Sequence, residues 1–134
     1  MEYDHESRDT DGYLGVQKEI PDLVIKSPIG KTEYVFEGEP ETVRYFTDEL
    51  TALCPKTGLP DFYSLEIEYV PARWLIELKS LKLYLIEYRN IGIFHEHLAR
   101  KIYNDINAAV EPERLRVILR ASTRGGISAE IVVE

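Results

Sequence analysis

Cysteine and long apolar runs are the scarcest features of this chain. A single cysteine occurs in 134 residues, so no disulfide can form within the chain. No stretch of about 18 consecutive apolar residues is present, which excludes an ordinary membrane-spanning helix. The first twelve residues, MEYDHESRDTDG, lack the apolar core of a secretory signal. Because a lone thiol stays reduced in the cytosol, these features predict a cytoplasmic protein without a membrane partner.

Positive charge is also in short supply. The chain has 16 lysines and arginines against 24 aspartates and glutamates, which gives a net charge of −8. Residues 1–12 carry five acids against Arg8, half of the net charge, and the rest of the chain is still acidic. A protein that grips DNA or RNA needs a basic surface to face the phosphates. We therefore expect no direct nucleic-acid partner.

The remaining composition is that of one globular domain. Hydrophobic residues make up 44% of the chain and charged residues 30%, and the length is sufficient to bury a core. Residues 1–40 are acidic at first and then contain several prolines and glycines, which predicts a partly disordered N-terminal extension. Readable hydrophobic periods follow, so residues 41–134 are predicted to form the domain.

Two segments alternate between apolar and polar residues, a period of two that is typical of strands. In the first, Val43, Tyr45 and Thr47 alternate with neighbours that include the charged Arg44 and Asp48, and the predicted strand extends to Cys54. In the second, the apolar residues are Tyr63, Leu65, Ile67 and Tyr69. The residues between Cys54 and Asp61 are then the turn of a hairpin.

The period then changes to that of helices and later returns to that of strands. Apolar residues recur at helical spacing first at Leu78, Leu81 and Leu85, then at Leu98, Ile102, Ile106 and Val110. Two alternating segments come last; their apolar residues are Leu115, Val117 and Leu119, then Ile127, Ala129, Ile131 and Val133. The order β-β-α-α-β-β predicts an α+β fold, an antiparallel sheet with two helices on one face. Such a sheet has two open edges, which invite pairing with another copy of the chain.

The segment LCPKTGLPDFY, residues 53–63, places the lone cysteine on a turn with a carboxylate seven residues later. An isolated cysteine is more often a small buried residue than a nucleophile. Here Lys56 would favour the thiolate form of Cys54, and the hairpin could bring Asp61 close to it. A thiol beside a carboxylic acid can add to an electrophilic carbon while the acid supplies a proton. From the residues alone, Asp61 could equally be a plain turn residue.

The segment FHEH, residues 94–97, also allows a structural and a functional interpretation. His95 and His97 lie two residues apart and point to different faces of a helix, so with one cysteine they make a poor zinc set. Glu96 is either an acid in the first turn of a helix or an acceptor for two N–H groups of a guanine-like base.

Several lysine and arginine side chains could bind phosphate groups, although the sequence contains no standard dinucleotide-binding motif. Lys79 and Lys82 are either a solvated helix face or a pair that holds phosphates. The turn formed by Arg124, Gly125 and Gly126 is a weak phosphate signal. No GxGxxG motif occurs, so a dinucleotide would not be held in the Rossmann manner.

Four motifs, in order, resemble one family: the NADPH-dependent 7-cyano-7-deazaguanine reductases (QueF) of the short single-domain type. CPKTGLPDF resembles the family's nucleophile segment, FHEH its base-binding segment and TRGGIS its closing turn. ELKSLKLY, residues 77–84, fits the family signature: Glu, Ser or Leu, Lys, Ser or Ala, a hydrophobe, Lys, Leu or Tyr, then an aromatic. The resemblance runs from Tyr45 to Ile127.

This resemblance implies the tunnelling fold (T-fold), assembled into homo-oligomeric rings of five subunits stacked as a decamer, with active sites at subunit boundaries. The implied activity is that of an oxidoreductase in queuosine biosynthesis, a tRNA modification pathway. It reduces the nitrile of 7-cyano-7-deazaguanine to the amine of 7-aminomethyl-7-deazaguanine through a cysteine thioimide. Each turnover consumes two NADPH. Because the candidate zinc ligands make a poor set, we also expect that no metal is needed. The substrate is the free base, which agrees with the scarcity of positive charge.

The resemblance also implies a role for each matching residue. Cys54 corresponds to the nucleophile that forms the thioimide, and Asp61 to the proton donor. The implied substrate-binding residues are Ile76, Glu77, Leu78, His95 and Glu96. The implied NADPH-binding residues are Leu78, Lys79, Arg124 and Gly125. We add Lys82 to them because it pairs with Lys79 one turn along the helix and offers a further cation.

Three alternatives remain at this point. An amidinotransferase-like relative would form the same thioimide and add ammonia instead of hydride, but it should lack the lysine-bearing signature. A zinc cyclohydrolase on the same fold would need a better ligand set than one cysteine and three histidines. A non-catalytic, ring-forming binding module would leave the four motifs unexplained.

Overall fold

A computed structural model describes residues 23–134 of the chain, so the acidic start of the predicted extension, residues 1–22, lies outside the described residues. The elements are β1 (Lys31–Glu33), β2 (Val43–Leu53), β3 (Pro60–Val70), β4 (Trp74–Ile76), α1 (Leu78–Ile86), a 3-10 helix (Glu87–Asn90), α2 (His95–Val110), β5 (Arg114–Arg124) and β6 (Ile127–Val133). This order contains the predicted β-β-α-α-β-β pattern and adds the short strands β1 and β4. The α+β class is confirmed.

The four long strands form one antiparallel sheet in the order β2-β3-β5-β6. Alternate side chains of the sheet and one face of α2 build a single core. The predicted periods are confirmed for β3, α2 and β5; the buried residues are Tyr63, Leu65, Ile67, Tyr69, Leu98, Ile102, Ile106, Val110, Leu115, Val117 and Leu119. Each large aliphatic side chain buried in this way stabilises the fold by roughly 1.5–3 kcal/mol.

Strand β2 changes phase at a bulge, which sequence periodicity does not reveal. Tyr45 and Thr47 are half-buried, but beyond them the buried residues are Leu50 and Ala52. The register against β3 shifts between Thr47 and Leu50. An extra residue in a strand shifts its alternation by one position. As a result Ala52, two residues before the cysteine, points into the core and pairs with Asp61.

Two residues predicted on apolar faces are exposed instead. Leu78 is 54% exposed, and the buried residues of α1 are Leu81 and Tyr84. The prediction for Leu78 is wrong because it is the first residue of the helix, where it lines an open cavity beside β2. Ile127 is 74% exposed because it directly follows the turn before β6.

Strands β1 and β4 form a separate two-stranded antiparallel sheet, in which Lys31 pairs with Ile76 and Glu33 with Trp74. Within the predicted extension, Leu23, Ile25 and Ile29 pack against the core and Tyr34 is buried. The domain boundary at residue 41 stays a prediction, but the described half of the extension contacts the domain. None of the helices within residues 23–134 is long and apolar enough to cross a membrane.

Candidate active site

Cys54 lies directly after β2, at the start of a closed hairpin turn. Its backbone N–H donates to the carbonyl of Leu59 at 2.8 Å, and the N–H of Gly58 donates to the carbonyl of Cys54 at 2.8 Å. Gly58 has a φ of 73°, in the left-handed region that glycine enters without strain. These two bonds fix the backbone of the cysteine, whose side chain remains partly exposed.

A second segment is bonded to the residue before the cysteine. The N–H of Leu53 donates to the carbonyl of Ile91 at 2.9 Å, and the N–H of Ile93 donates to the carbonyl of Leu53 at 3.1 Å. Leu53 and Gly92 therefore form an isolated parallel bridge. The chain runs directly from this bridge into α2, whose first residue is His95. The bridge thus brings the start of α2 next to the cysteine turn.

Cys54, Asp61 and His95 line one cavity of about 230 Å³. Asp61 lies near the start of β3, on the face that also carries Tyr63 and Leu65, because side chains alternate along a strand. Its pairing with Ala52 fixes how far it lies from the end of β2. The structure therefore brings together three of the site residues predicted from the sequence, from the turn after β2, the start of β3 and the start of α2.

Glu96 does not line this cavity, although it contacts a residue that does. The Nε2 atom of His95 lies 3.2 Å from the Oε1 atom of Glu96, and the side chain of Glu96 is 65% exposed. Glu96 is the acid in the first turn of α2, a position where the helix dipole favours negative charge. The structural interpretation of Glu96 is thus confirmed, and its predicted substrate role stays a prediction.

The predicted residues of the lysine-bearing signature lie in a different part of the chain, where β4 meets α1. Glu77 is the N-cap of α1: its carboxylate accepts the N–H of Ser80 at 2.6 Å and that of Lys79 at 3.3 Å. These bonds favour the ionised form, and the pKa of Glu77 is lowered mainly because Ser80 N–H donates to it. Ile76 is buried, and its N–H donates to the hydroxyl of Tyr69 at 3.1 Å.

Leu78 and Lys82 line a second cavity, of about 280 Å³, between β2 and α1. Phe46 and Arg89 line it as well, so this cavity combines apolar surface with two cations. Lys79 is exposed and does not line it. The first and second cavities have no lining residue in common.

The turn between β5 and β6 lies at the same end of the sheet as the first cavity. Gly125 and Gly126 have φ values of 57° and 78°, which allow this tight reversal. Arg124 pairs in register with Ile127, and Ile127 lines the first cavity. The predicted residues Arg124 and Gly125 are therefore close in the chain to the lining of that cavity.

Other residues line the first cavity that sequence analysis did not single out. Tyr63 was interpreted only as a core position of a strand, Phe94 only as part of a motif, and Ser122 not at all. The proximity of Ser122 follows from the pairing of Tyr63 with Ala121, a contact between distant parts of the chain. Among residues 23–134, no three His, Cys, Asp or Glu side chains form a cluster that could hold a metal ion.

Comparison with known proteins identifies the family. The model of the family described as QueF-like protein matches residues 60–134. A protein of Thermoanaerobacter pseudethanolicus is 39% identical over 126 residues, which cover 94% of this chain and 89% of that protein. One of Halorhodospira halophila is 45% identical over 108 residues, covering 78% and 92%. Both are named NADPH-dependent 7-cyano-7-deazaguanine reductase.

A solved structure agrees with this result. The crystal structure of the archaeosine synthase QueF-Like in the apo form matches with a TM-score of 0.66 at 27% sequence identity. The match covers 71% of this chain and 93% of the other. Because the family model spans more than half of the chain and the relatives match over most of their length, the chain belongs to the QueF-like protein family.

Proposed function

We propose that this protein uses NADPH to reduce the nitrile of 7-cyano-7-deazaguanine to the primary amine of 7-aminomethyl-7-deazaguanine. Family membership and the names of relatives that are 39–45% identical support this activity. The observation that carries it is the cavity lined by Cys54, Asp61 and His95. A thiol, a carboxylic acid and an imidazole around one space are suited to covalent addition to an electrophilic carbon with proton transfer.

In the proposed reaction, the thiolate sulfur of Cys54 attacks the nitrile carbon. Asp61 gives a proton to the nitrile nitrogen, and the product is a thioimide on Cys54. NADPH supplies two hydrides in succession, one to the carbon of the thioimide and one to the carbon of the imine, and the imine nitrogen takes up a second proton from solvent. Between the two, the carbon–sulfur bond breaks and returns the thiolate to Cys54. One cysteine is sufficient because it is regenerated in each cycle.

Recognition of the base is assigned to His95 and Glu96, at the start of α2. A carboxylate can accept two parallel N–H bonds from the amino-pyrimidinone edge of the substrate. The exposure of Glu96 leaves its oxygens accessible to such an edge. Ile76, Glu77 and Leu78 are the further substrate-binding residues of the proposal.

The residues proposed for NADPH fit the charge of that molecule. Lys79 and Lys82 are both exposed near the start of α1, and Lys82 shares its cavity with Arg89. Cations on a short stretch of helix can face the phosphates. In the turn at Gly125, backbone N–H groups can donate hydrogen bonds to phosphate oxygens. Leu78 adds an apolar contact. The proposed reductase needs no metal.

We further propose that the complete site forms between subunits of a ring in the cytoplasm. The outer strands of the four-stranded sheet are β2 and β6, and within residues 23–134 no further strand pairs with their outer edges. Only the bridge between Leu53 and Gly92 occupies the end of the β2 edge. Phe46 on β2 is 71% exposed. If neighbouring copies pair with these edges, such side chains become buried. The first cavity of one subunit could then lie beside the second cavity of the next subunit. Five-membered rings stacked as a decamer are the proposed assembly.

The test of this function is incubation of the protein with 7-cyano-7-deazaguanine and NADPH. We expect loss of the nicotinamide absorbance and formation of the amine, with two NADPH consumed per amine. Cys54→Ala should abolish both. A parallel reaction with ammonia and no NADPH distinguishes the amidinotransferase-like alternative: an amidine product there, without nitrile reduction, would overturn the proposal.

A further inference from the structure

The start of α1 is bonded to a segment that lies before the predicted domain boundary. Gly30 N–H donates to the Oγ atom of Ser80 at 2.7 Å, and Glu77 N–H donates to the carbonyl of Gly30 at 3.0 Å. The Ser80 hydroxyl in turn donates to the carbonyl of Glu77 at 2.7 Å. Gly30, Glu77 and Ser80 therefore form a closed set of three hydrogen bonds.

The three hydrogen bonds lie next to the residues that are proposed to bind substrate and cofactor. Ser80 N–H is the closer of the two donors to the carboxylate of Glu77. Next to Gly30, strand β1 pairs Lys31 with Ile76. The backbone from Ile76 to Lys79 is thus held by Gly30 and β1 together with the cap.

A side chain at residue 30 would crowd the hydroxyl of Ser80. A Cβ atom at residue 30 would lie 3.2 Å from the Oγ atom of Ser80, closer than most such contacts. It would lie 3.5 Å from the Cβ atom of Ser80, an ordinary van der Waals distance. To make room, the hydroxyl must move by a few tenths of an ångström, which strains its bonds to Gly30 and Glu77 because both depend on its present position.

We propose that Gly30 and Ser80 are positioning residues for the start of α1, which makes the segment around Gly30 part of the active-site machinery. They act through Glu77, Leu78 and Lys79, and this inference rests on the proposed function. The role of the Ser80 hydroxyl in this chain is to fix the backbone that presents the binding groups.

The test is a double-mutant cycle of Gly30→Ala and Ser80→Ala, with Ser27→Ala as a control in the same segment. Steady-state rates give KM for NADPH and for the nitrile separately from kcat, and calorimetric titration gives Kd for NADPH. Gly30→Ala should raise both KM values about 3- to 10-fold, as expected for the loss of one or two hydrogen bonds. The value of kcat should change less, because Cys54 and Asp61 lie in the other cavity.

The two substitutions should not be additive. Ser80→Ala removes the atom that a methyl group at residue 30 would strike, so the double variant should return to the KM values of Ser80→Ala alone. Effects that simply add, or a Gly30→Ala protein that behaves like Ser27→Ala, would overturn the inference and leave the proposed function intact. A wild-type protein that does not reduce the nitrile would overturn the proposed function and this inference with it.

Discussion

Among single residues, Asp61 is the clearest case in which position favours one of two roles. A plain turn aspartate would be expected in solvent, whereas Asp61 lies within β3 and lines the cavity of Cys54. The substitution Asp61→Asn keeps the shape of the side chain but removes the carboxylic acid that could donate a proton. Because general acid–base assistance is typically worth about 10²–10⁴-fold, we expect turnover to fall by that order and adduct formation to slow. Turnover and single-turnover mass spectrometry measure the two effects.

The matched control for this substitution is Asp48→Asn, which changes an exposed aspartate in the bulge of β2. It should leave both rates unchanged. An Asp61→Asn protein that turns over as fast as Asp48→Asn would remove Asp61 from the chemistry and return it to a structural role.

Glu96 is exposed and lies against His95. Its predicted role depends on the two carboxylate oxygens that can accept hydrogen bonds from a base. Glu96→Gln presents one acceptor where the substrate offers two donors. We expect binding of the base to weaken by roughly 1–3 kcal/mol. Calorimetry on the Cys54→Ala background measures binding without reaction. Glu113→Gln, at the far end of the sheet, is the control; equal affinity in the two variants would exclude Glu96 from the site.

The sequence predicts which residues line the candidate site better than it predicts the contacts that bring them together. Cys54, Asp61 and His95 belong to quoted motifs, and they do line one cavity. The position of His95 beside the other two depends on hydrogen bonds between Leu53 and residues 91 and 93, a segment too short for a hydrophobic period. No local pattern marks such a bond, because its partners are far apart in the chain.

At the scale of elements, the N-cap of α1 makes stability depend on pH. Hydrogen bonds from Ser80 and Lys79 N–H lower the pKa of Glu77 below its ordinary value of 4.5. A group with a lowered pKa in the folded state stabilises the fold above its unfolded pKa, and this contribution is lost as pH falls through the folded pKa. Glu77→Gln should therefore melt below the wild type at neutral pH. The difference should shrink below pH 4.5; a difference independent of pH would contradict the role of charge.

The elements that periodicity predicts are the long ones. Strand β3 and helix α2 each bury alternate or helically spaced residues over many positions, which gives a readable signal. Strands β1 and β4 have three residues each, too few for a period. Strand β2 has enough residues, but its bulge breaks the alternation between Thr47 and Leu50. The missed features lie beside the start of α1 and the cysteine turn, and they set where the proposed site residues stand.

At the scale of the whole molecule, the separation of the two cavities leads to a complementation experiment. If each site combines Cys54 of one subunit with Lys79 and Lys82 of another, two defective variants can restore each other. Cys54→Ala and Lys79→Ala/Lys82→Ala should each be poor catalysts at low NADPH. Co-expressed and purified as mixed assemblies, they should recover part of the wild-type rate, because some boundaries carry both intact groups.

The control for this experiment mixes Cys54→Ala with Asp61→Asn. These two residues line the same cavity of one chain, so no boundary in the mixture can combine them intact. We expect no recovery there. A mixture of Cys54→Ala and Lys79→Ala/Lys82→Ala that is no more active than its parts would contradict a site shared between subunits.

The most direct measurement of the central claim is the intact mass of the protein after mixing with 7-cyano-7-deazaguanine in the absence of NADPH. Without hydride the reaction should stop at the thioimide on Cys54. The mass should then rise by the full mass of the substrate, because addition to a nitrile expels nothing. Peptide mapping should place the adduct on the segment that contains Cys54, and Cys54→Ala should show none. An unmodified wild-type mass, or a Cys54→Ala protein that still oxidises NADPH with this substrate, would contradict the covalent mechanism.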